Sequence, residues 1–232
     1  MNHKSLIKKF EKFKENIKEF IEHEKDSIED IHTLRINSRE LYSLISLDDT
    51  FRKKIKKVIK LTNKIRDLDV FFEEYLPSLP KEYIDELDIE SILESTNRSR
   101  SKDIEKLHVY LKYLSLPESL EFKYIEKKFD YDKINKVQYN QSELHRYRIY
   151  IKRVLSKEKN SSEKDVKKIR LLSKIKDILG TMNDNNNGIK RLESYMIMPA
   201  LFQKIDDFVK RCNLELFEEF EGINQAYMEM TE

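Results

Sequence analysis

Residues 30–41, DIHTLRINSREL, set His32, Arg35 and Arg39 at steps of three and four. On a helix that spacing puts all three on one face. Ile31, Leu34, Leu41 and Ile45 form an apolar stripe one position away. The segment therefore reads as an amphipathic helix with a cationic flank beside its core seam. Asp26 or Ser27 stands where such a helix needs a cap.

The same pattern extends outward in both directions. Leu6, Phe10, Phe13, Ile17 and Ile21 recur at helical steps, so 2–24 is expected to be a helix. A break at SLDDT is expected before a third helix from Thr50 to Leu76, with Ile55, Val58, Ile59, Ile65 and Leu68 inward. Lys53, Lys57, Lys60 and Lys64 run down an adjacent face, and PSLP (77–80) ends the helix. Residues 81–115 read as helical with a kink near STNRSRS, and Pro117 marks a break. Residues 118–137 read as a short helix or loop. Helices are expected again at 140–157, 162–180, 185–197 and 200–230, with the polar stretch NSS (160–162) separating the first two. GTMNDNNNG (180–188) reads as a C-cap and turn. No strand-period segment of useful length appears, so the class is all-α.

The chain repeats itself. IHTLRINSREL (31–41) is echoed by LHRYRIYIKRV (144–154), which aligns His32, Arg35 and Arg39 with His145, Arg148 and Lys152. A Lys-rich helix follows each copy, and each of those is expected to end in a short polar signature, IRDLDVF around Arg66 and Asp67 and MNDNNNG around Asn183 and Asp184. His32 and Asp67 are 35 residues apart, and His145 and Asp184 are 39 apart. An internal duplication about a pseudo-twofold axis is the natural inference. It makes 1–232 a single domain with halves 1–115 and 116–232.

Composition fits that plan. The 232 residues are 39% hydrophobic and 38% charged, with only 3 Gly and 4 Pro to interrupt long helices. The lone Cys212 excludes an intramolecular disulfide and fits a reducing, cytoplasmic setting. The N-terminus lacks the apolar core of a signal peptide, and no stretch is apolar enough to span a membrane. The net charge of +2 hides segregation. Residues 51–66 hold eight Lys/Arg and no acid, residues 145–157 hold five, and 81–94 and the tail after Lys204 are acidic. A lysine-rich solvated face explains such runs blandly; a focused anion site explains them functionally.

Gathered cations repel one another, and something must offset that. Asp67, Asp69 and Asp184 are candidate counter-charges, and a bound polyanion is the alternative. Arg makes paired charge-assisted hydrogen bonds to phosphate, and a row of Lys follows a phosphate polymer without reading bases. Three functions compete. A polyanion-binding module is the first. A nucleic-acid binder fits less well, since the aromatics are expected in the core rather than on stacking platforms. A metal-dependent phosphohydrolase or phosphotransferase fits least. RDLD supplies two carboxylates, but there is no dense carboxylate cluster and no Gly-rich phosphate cradle. The expectation is therefore a non-enzymatic protein with no cofactor and no metal. Each residue also has a structural reading: His32 and His145 as hydrogen-bonded core residues, Arg66 with Asp67 as a helix-end pair, and Asn183 with Asp184 as turn formers.

The paired H-x-x-R-x-x-x-[R/K] elements, with RDLDV after the first and LGTMND after the second, resemble the CHAD family, the conserved histidine α-helical domain. The resemblance runs from about residue 6 to 215. It implies two pseudo-symmetric antiparallel helical bundles facing a basic central cavity. It also implies binding of inorganic polyphosphate, and some family members associate with polyphosphate granules. By motif position, His32, Arg35, Arg39, Arg66, His145, Arg148, Lys152 and Arg153 would face the anion. Glu40, Tyr42 and Leu155 stand where relatives usually carry Arg. Lys53, Lys57, Lys60, Lys64, Arg98, Lys167, Arg170 and Lys174 would supplement the lining.

Overall fold

The computed structural model describes residues 3–22, 26–44, 50–117, 139–159, 164–195 and 197–230. The expectations for SLDDT, 118–137 and NSS fall largely or wholly outside these residues. Every regular element among the described residues is helical, and none of the helices is long and apolar enough to cross a membrane. The chain divides into two compact units: Met1–Glu74 with Asp88–Lys128, and Tyr75–Leu87 with Phe129–Glu232. Residues 75–87 thus group with the second half of the chain.

Unit 1 is a ring of four helices: α1 (His3–Glu22), α2 (Ile28–Leu44), α3 (Thr50–Val70) and α6 (Ile89–Lys112). Neighbours in the ring are α1 and α2, α2 and α3, α3 and α6, and α6 and α1. The side chains that carry the helical period meet inside: Phe13, Ile31, Leu34, Leu41, Ile55, Val58, Ile65 and Leu107. Burying each large side chain of this kind contributes about 2 kcal/mol. Of the two candidate caps for α2, Ser27 does the work. Its Oγ accepts from the Asp30 amide at 3.2 Å and donates to the Asp30 carboxylate at 2.5 Å.

The third helix is α-helical to Val70 and then widens into a π-type turn at Phe71–Tyr75, followed by α4 (Leu76–Ser78) and α5 (Lys81–Glu86). α6 is continuously helical from Ile89 through STNRSRS, and the interruption falls at Leu87–Asp88. Asp88 caps the helix by accepting from the Ser91 amide at 3.1 Å, and the buried Thr96 hydroxyl donates to the Ile92 carbonyl at 2.7 Å.

Unit 2 is built on α7 (Gln141–Lys159), α8 (Val166–Glu193) and α9 (Pro199–Glu229), with α8 packed on both others and α5 resting on α9. Its core gathers Tyr147, Ile151, Leu172, Ile175, Leu179, Met182, Phe217 and Phe220. α8 runs straight through 180–188, which corrects the expected C-cap and turn. Its two glycines are sites of close approach. A Cβ on Gly180 would lie 3.3 Å from Nη2 of Arg148, and a Cβ on Gly188 would overlap the Tyr75 ring. The asparagines between them bond sideways: Asn185 donates to Asn213 at 2.9 Å, and Asn213 donates to Asn186 at 3.2 Å. Asn213 is buried, so these tertiary bonds offset the poor helix propensity of the segment.

Candidate functional site

On α2, His32 and Arg35 are half-buried and Arg39 is exposed. The apolar stripe of the helix points inward and carries its cationic flank to the rim of the core. Arg35 reaches α3, where its Nε donates to Oδ1 of Asn63 at 2.6 Å. The exposed Glu40 is held by Lys9 at 2.6 Å. On α3, Lys53, Lys57, Lys60 and Lys64 are all exposed, and no described carboxylate pairs with any of them. The Lys57 ammonium lies 4.6 Å from the centre of the Tyr110 ring, a contact that positions the cation without neutralising it.

Two more predicted cations of unit 1 are already matched by acids. Arg66 is half-buried with Glu74 at 3.5 Å, and Arg98 is exposed and pairs with Glu94 one turn back at 2.7 Å. The expected Arg66–Asp67 helix-end pair is thus replaced by a contact to the π-type turn. Arg100, which periodicity did not single out, is the structural cation of this unit. It pairs with buried Asp69 at 2.6 Å and donates to the Asp26 carbonyl at 2.9 Å, tying α6 to α3 and to the residue ahead of α2. Asp69, a candidate counter-charge for the anion site, is committed to that tie. The signal available in sequence was only that Asp69 falls on the buried face of α3.

In unit 2, α7 carries His145 and Arg153 exposed and Arg148 and Lys152 half-buried. Arg148 lies against α8 at Gly180. Lys167, Arg170 and Lys174 are exposed along the first half of α8. Asp177 follows them, with the Lys176 ammonium 2.7 Å from its carboxylate. Asn183 donates to Asp184 at 3.1 Å within the helix, so these two do not form the expected turn.

The two motif arginines make the same journey. Asn63 stands four residues before Asp67, and Gly180 stands four residues before Asp184. Each motif arginine therefore meets the following helix at the same register relative to the polar signature. In one unit an amide receives it, and in the other a missing side chain makes room. Asn63 did not stand out in the sequence, and Gly180 stood out only as the start of an expected C-cap, because the matched positions carry different residue types.

Among the described residues no group of His, Cys, Asp and Glu is placed to hold a metal ion. Among the described residues, half of the Phe and Tyr side chains are buried, among them Phe10, Phe13, Phe51, Phe71 and Phe220, while Phe72, Tyr113 and Tyr139 are exposed. Compared with family models, curated proteins and solved structures, the chain matches none of them.

Proposed function

We propose that this protein binds inorganic polyphosphate, without catalysis, through the Lys, Arg and His side chains of its duplicated motif. The observation that carries the reading is the pairing of motif and row. In each half, a motif arginine packs on the next helix, and that helix presents exposed cations with no described carboxylate against them. Exposed like charges along one helix are self-repelling, and a multiply charged anion relieves that repulsion. The resemblance to the CHAD family adds the pseudo-symmetry of two bundles and a shared basic hollow for the anion; both belong to this proposal. A cytoplasmic setting, and association with polyphosphate granules, follow from it in the same way.

Calorimetric titration with polyphosphates of defined length, at two salt concentrations, tests this. Affinity is expected to rise with chain length and to fall steeply with salt, as neutralised phosphates release counterions. Arg35→Ala/Arg39→Ala and Arg148→Ala/Lys152→Ala, with helicity checked by circular dichroism, should each lose about tenfold or more and flatten the salt dependence. Tighter binding of RNA than of polyphosphate in competition would favour the nucleic-acid reading instead. Release of orthophosphate with Mg²⁺ or Mn²⁺ present would make the protein an enzyme.

A further inference from the structure

We infer that the polyanion is anchored unequally, with the lysine row of α3 as its principal seat and Asp177 as the residue that withdraws the second half from that role. The inference rests on the polyphosphate reading above and goes further, to which residues set the strength of each half.

Aligning the halves at Asp67 and Asp184, where Asn63 and Gly180 also coincide, pairs their rows position by position. Lys53 matches Arg170, and Lys57 matches Lys174. Lys60 then matches Asp177, and Lys64 matches Thr181. Both rows are basic at the start of their helix. Only in α3 do all four positions of the row, up to the level of the motif arginine, carry a cation. The α3 row extends over eleven helical steps, about 16 Å at a rise of about 1.5 Å per residue. It ends with Lys60 and Lys64 on either side of Asn63 in sequence, the residue that holds Arg35. In α8 the exposed row stops at Lys174, and the next two charges, half-buried Lys176 and exposed Asp177, pair with each other one turn before Gly180 and Arg148.

Asp177 is not silenced by its neighbour. Its side chain is 67% exposed, and an exposed pair with Lys176 is a weak one that leaves the carboxylate able to repel a phosphate chain. On the α2 side, by contrast, Glu40 is drawn to Lys9, away from the task of neutralising Arg39. A phosphate polymer that meets unit 1 therefore finds an unbroken basic track. The same polymer meeting unit 2 finds a track cut one turn short.

The test uses the full chain and long-chain inorganic polyphosphate, titrated calorimetrically at about 0.1 M salt, where counterion release dominates the free energy. Every position changed is exposed, so folding is not at stake. Lys60→Ala/Lys64→Ala should weaken binding by about tenfold and reduce the salt slope, and Arg170→Ala/Lys174→Ala should weaken it by less than about threefold. Asp177→Lys should tighten binding by about threefold or more by completing the second track. Equal losses from the two double variants, or no gain from Asp177→Lys, overturn the inequality while leaving the polyphosphate reading intact. Failure of the unaltered chain to bind polyphosphate overturns both.

Discussion

The two copies of the motif put an arginine in the same place and receive it differently. In unit 1 the guanidinium of Arg35 is held by a hydrogen bond from its Nε to Asn63. In unit 2 the guanidinium of Arg148 lies over Gly180, where the helix has no side chain to obstruct it. What the two motifs share is a register against the following helix. Polar attraction serves it in one half and steric permission in the other. Gly180 and Gly188 are thus packing devices within an unbroken helix, and they are the first place to break the comparison. Gly188→Ala should have the largest effect. The new methyl overlaps the ring of Tyr75, which is buried and fixed on the π-type turn. A forced shift of that ring costs about 3 kcal/mol, against about 1 kcal/mol gained in helix propensity. A net loss of about 2 kcal/mol should show as a lower urea midpoint, with amide exchange accelerated in α8 and α9 and unchanged in unit 1. An unchanged or raised midpoint would mean that Tyr75 does not rest on Gly188.

High pH should separate the halves next. Burial pushes the hydroxyls of Tyr75 and Tyr147 far above the ordinary tyrosine value, with Asp206 adding to the first and Tyr150 and Tyr227 to the second. Both residues belong to unit 2. Their contribution is complete below about pH 10, where neither the folded nor the unfolded chain ionises them. Above that value the unfolded chain loses its protons first, and stability falls. One pH unit further on, each hydroxyl has removed at most about 1.4 kcal/mol. Burial also raises Tyr110 in unit 1, but that residue is only partly buried, so unit 1 should hold longer. Urea midpoints between pH 8 and 11 should fall more steeply for α7–α9 than for α1–α3. Tyr147→Phe keeps the ring between Tyr150 and Phe220, gives up the bond to Asn224, and should flatten the decline. An identical slope in that variant would remove Tyr147 as its source.

The contrast also explains what the sequence could and could not tell. Helix identity came through wherever apolar residues repeated at the helical period. Phe13, Ile31, Ile55, Ile65, Leu172 and Ile175, all wholly or almost wholly buried, lie on such stripes. The errors fell where local preference and tertiary contact disagree. GTMNDNNNG has the composition of a turn, yet Asn185, Asn186 and Asn213 bond to one another across two helices and keep it helical. At the candidate site, the spacing of His, Arg and Lys was legible, because charge and period are properties of the chain alone. The acceptor Asn63, the gap at Gly180 and the Arg100–Asp69 tie were not, because they depend on which helix lies opposite.

Asn63→Ala sharpens the comparison from the other side. It leaves Arg35 without the Asn63 acceptor, at a cost of about 1.5–2 kcal/mol for a bond to a charged group, while alanine returns several tenths in helix propensity. A net loss of about 1 kcal/mol is expected, read as a urea midpoint shift with unchanged m-value. No loss would mean that Asn63 merely accompanies Arg35.

Gly180→Ala should do least, and its sign is the informative part. The added methyl meets the far end of a flexible side chain at 3.3 Å, where a shift of a few tenths of an ångström in Arg148 relieves the contact. Against that small cost stands a gain of about 1 kcal/mol from replacing a glycine inside a helix. Stability should therefore stay level or rise by up to about 0.5 kcal/mol, opposite in sign to the same substitution eight residues later at Gly188. The displaced guanidinium would still weaken polyphosphate binding if Arg148 touches the anion. A variant that folds at least as well as the parent yet binds worse would place the function of this glycine in the room it leaves for a cation. A clear loss of stability would instead mean that the guanidinium is rigidly packed and cannot yield.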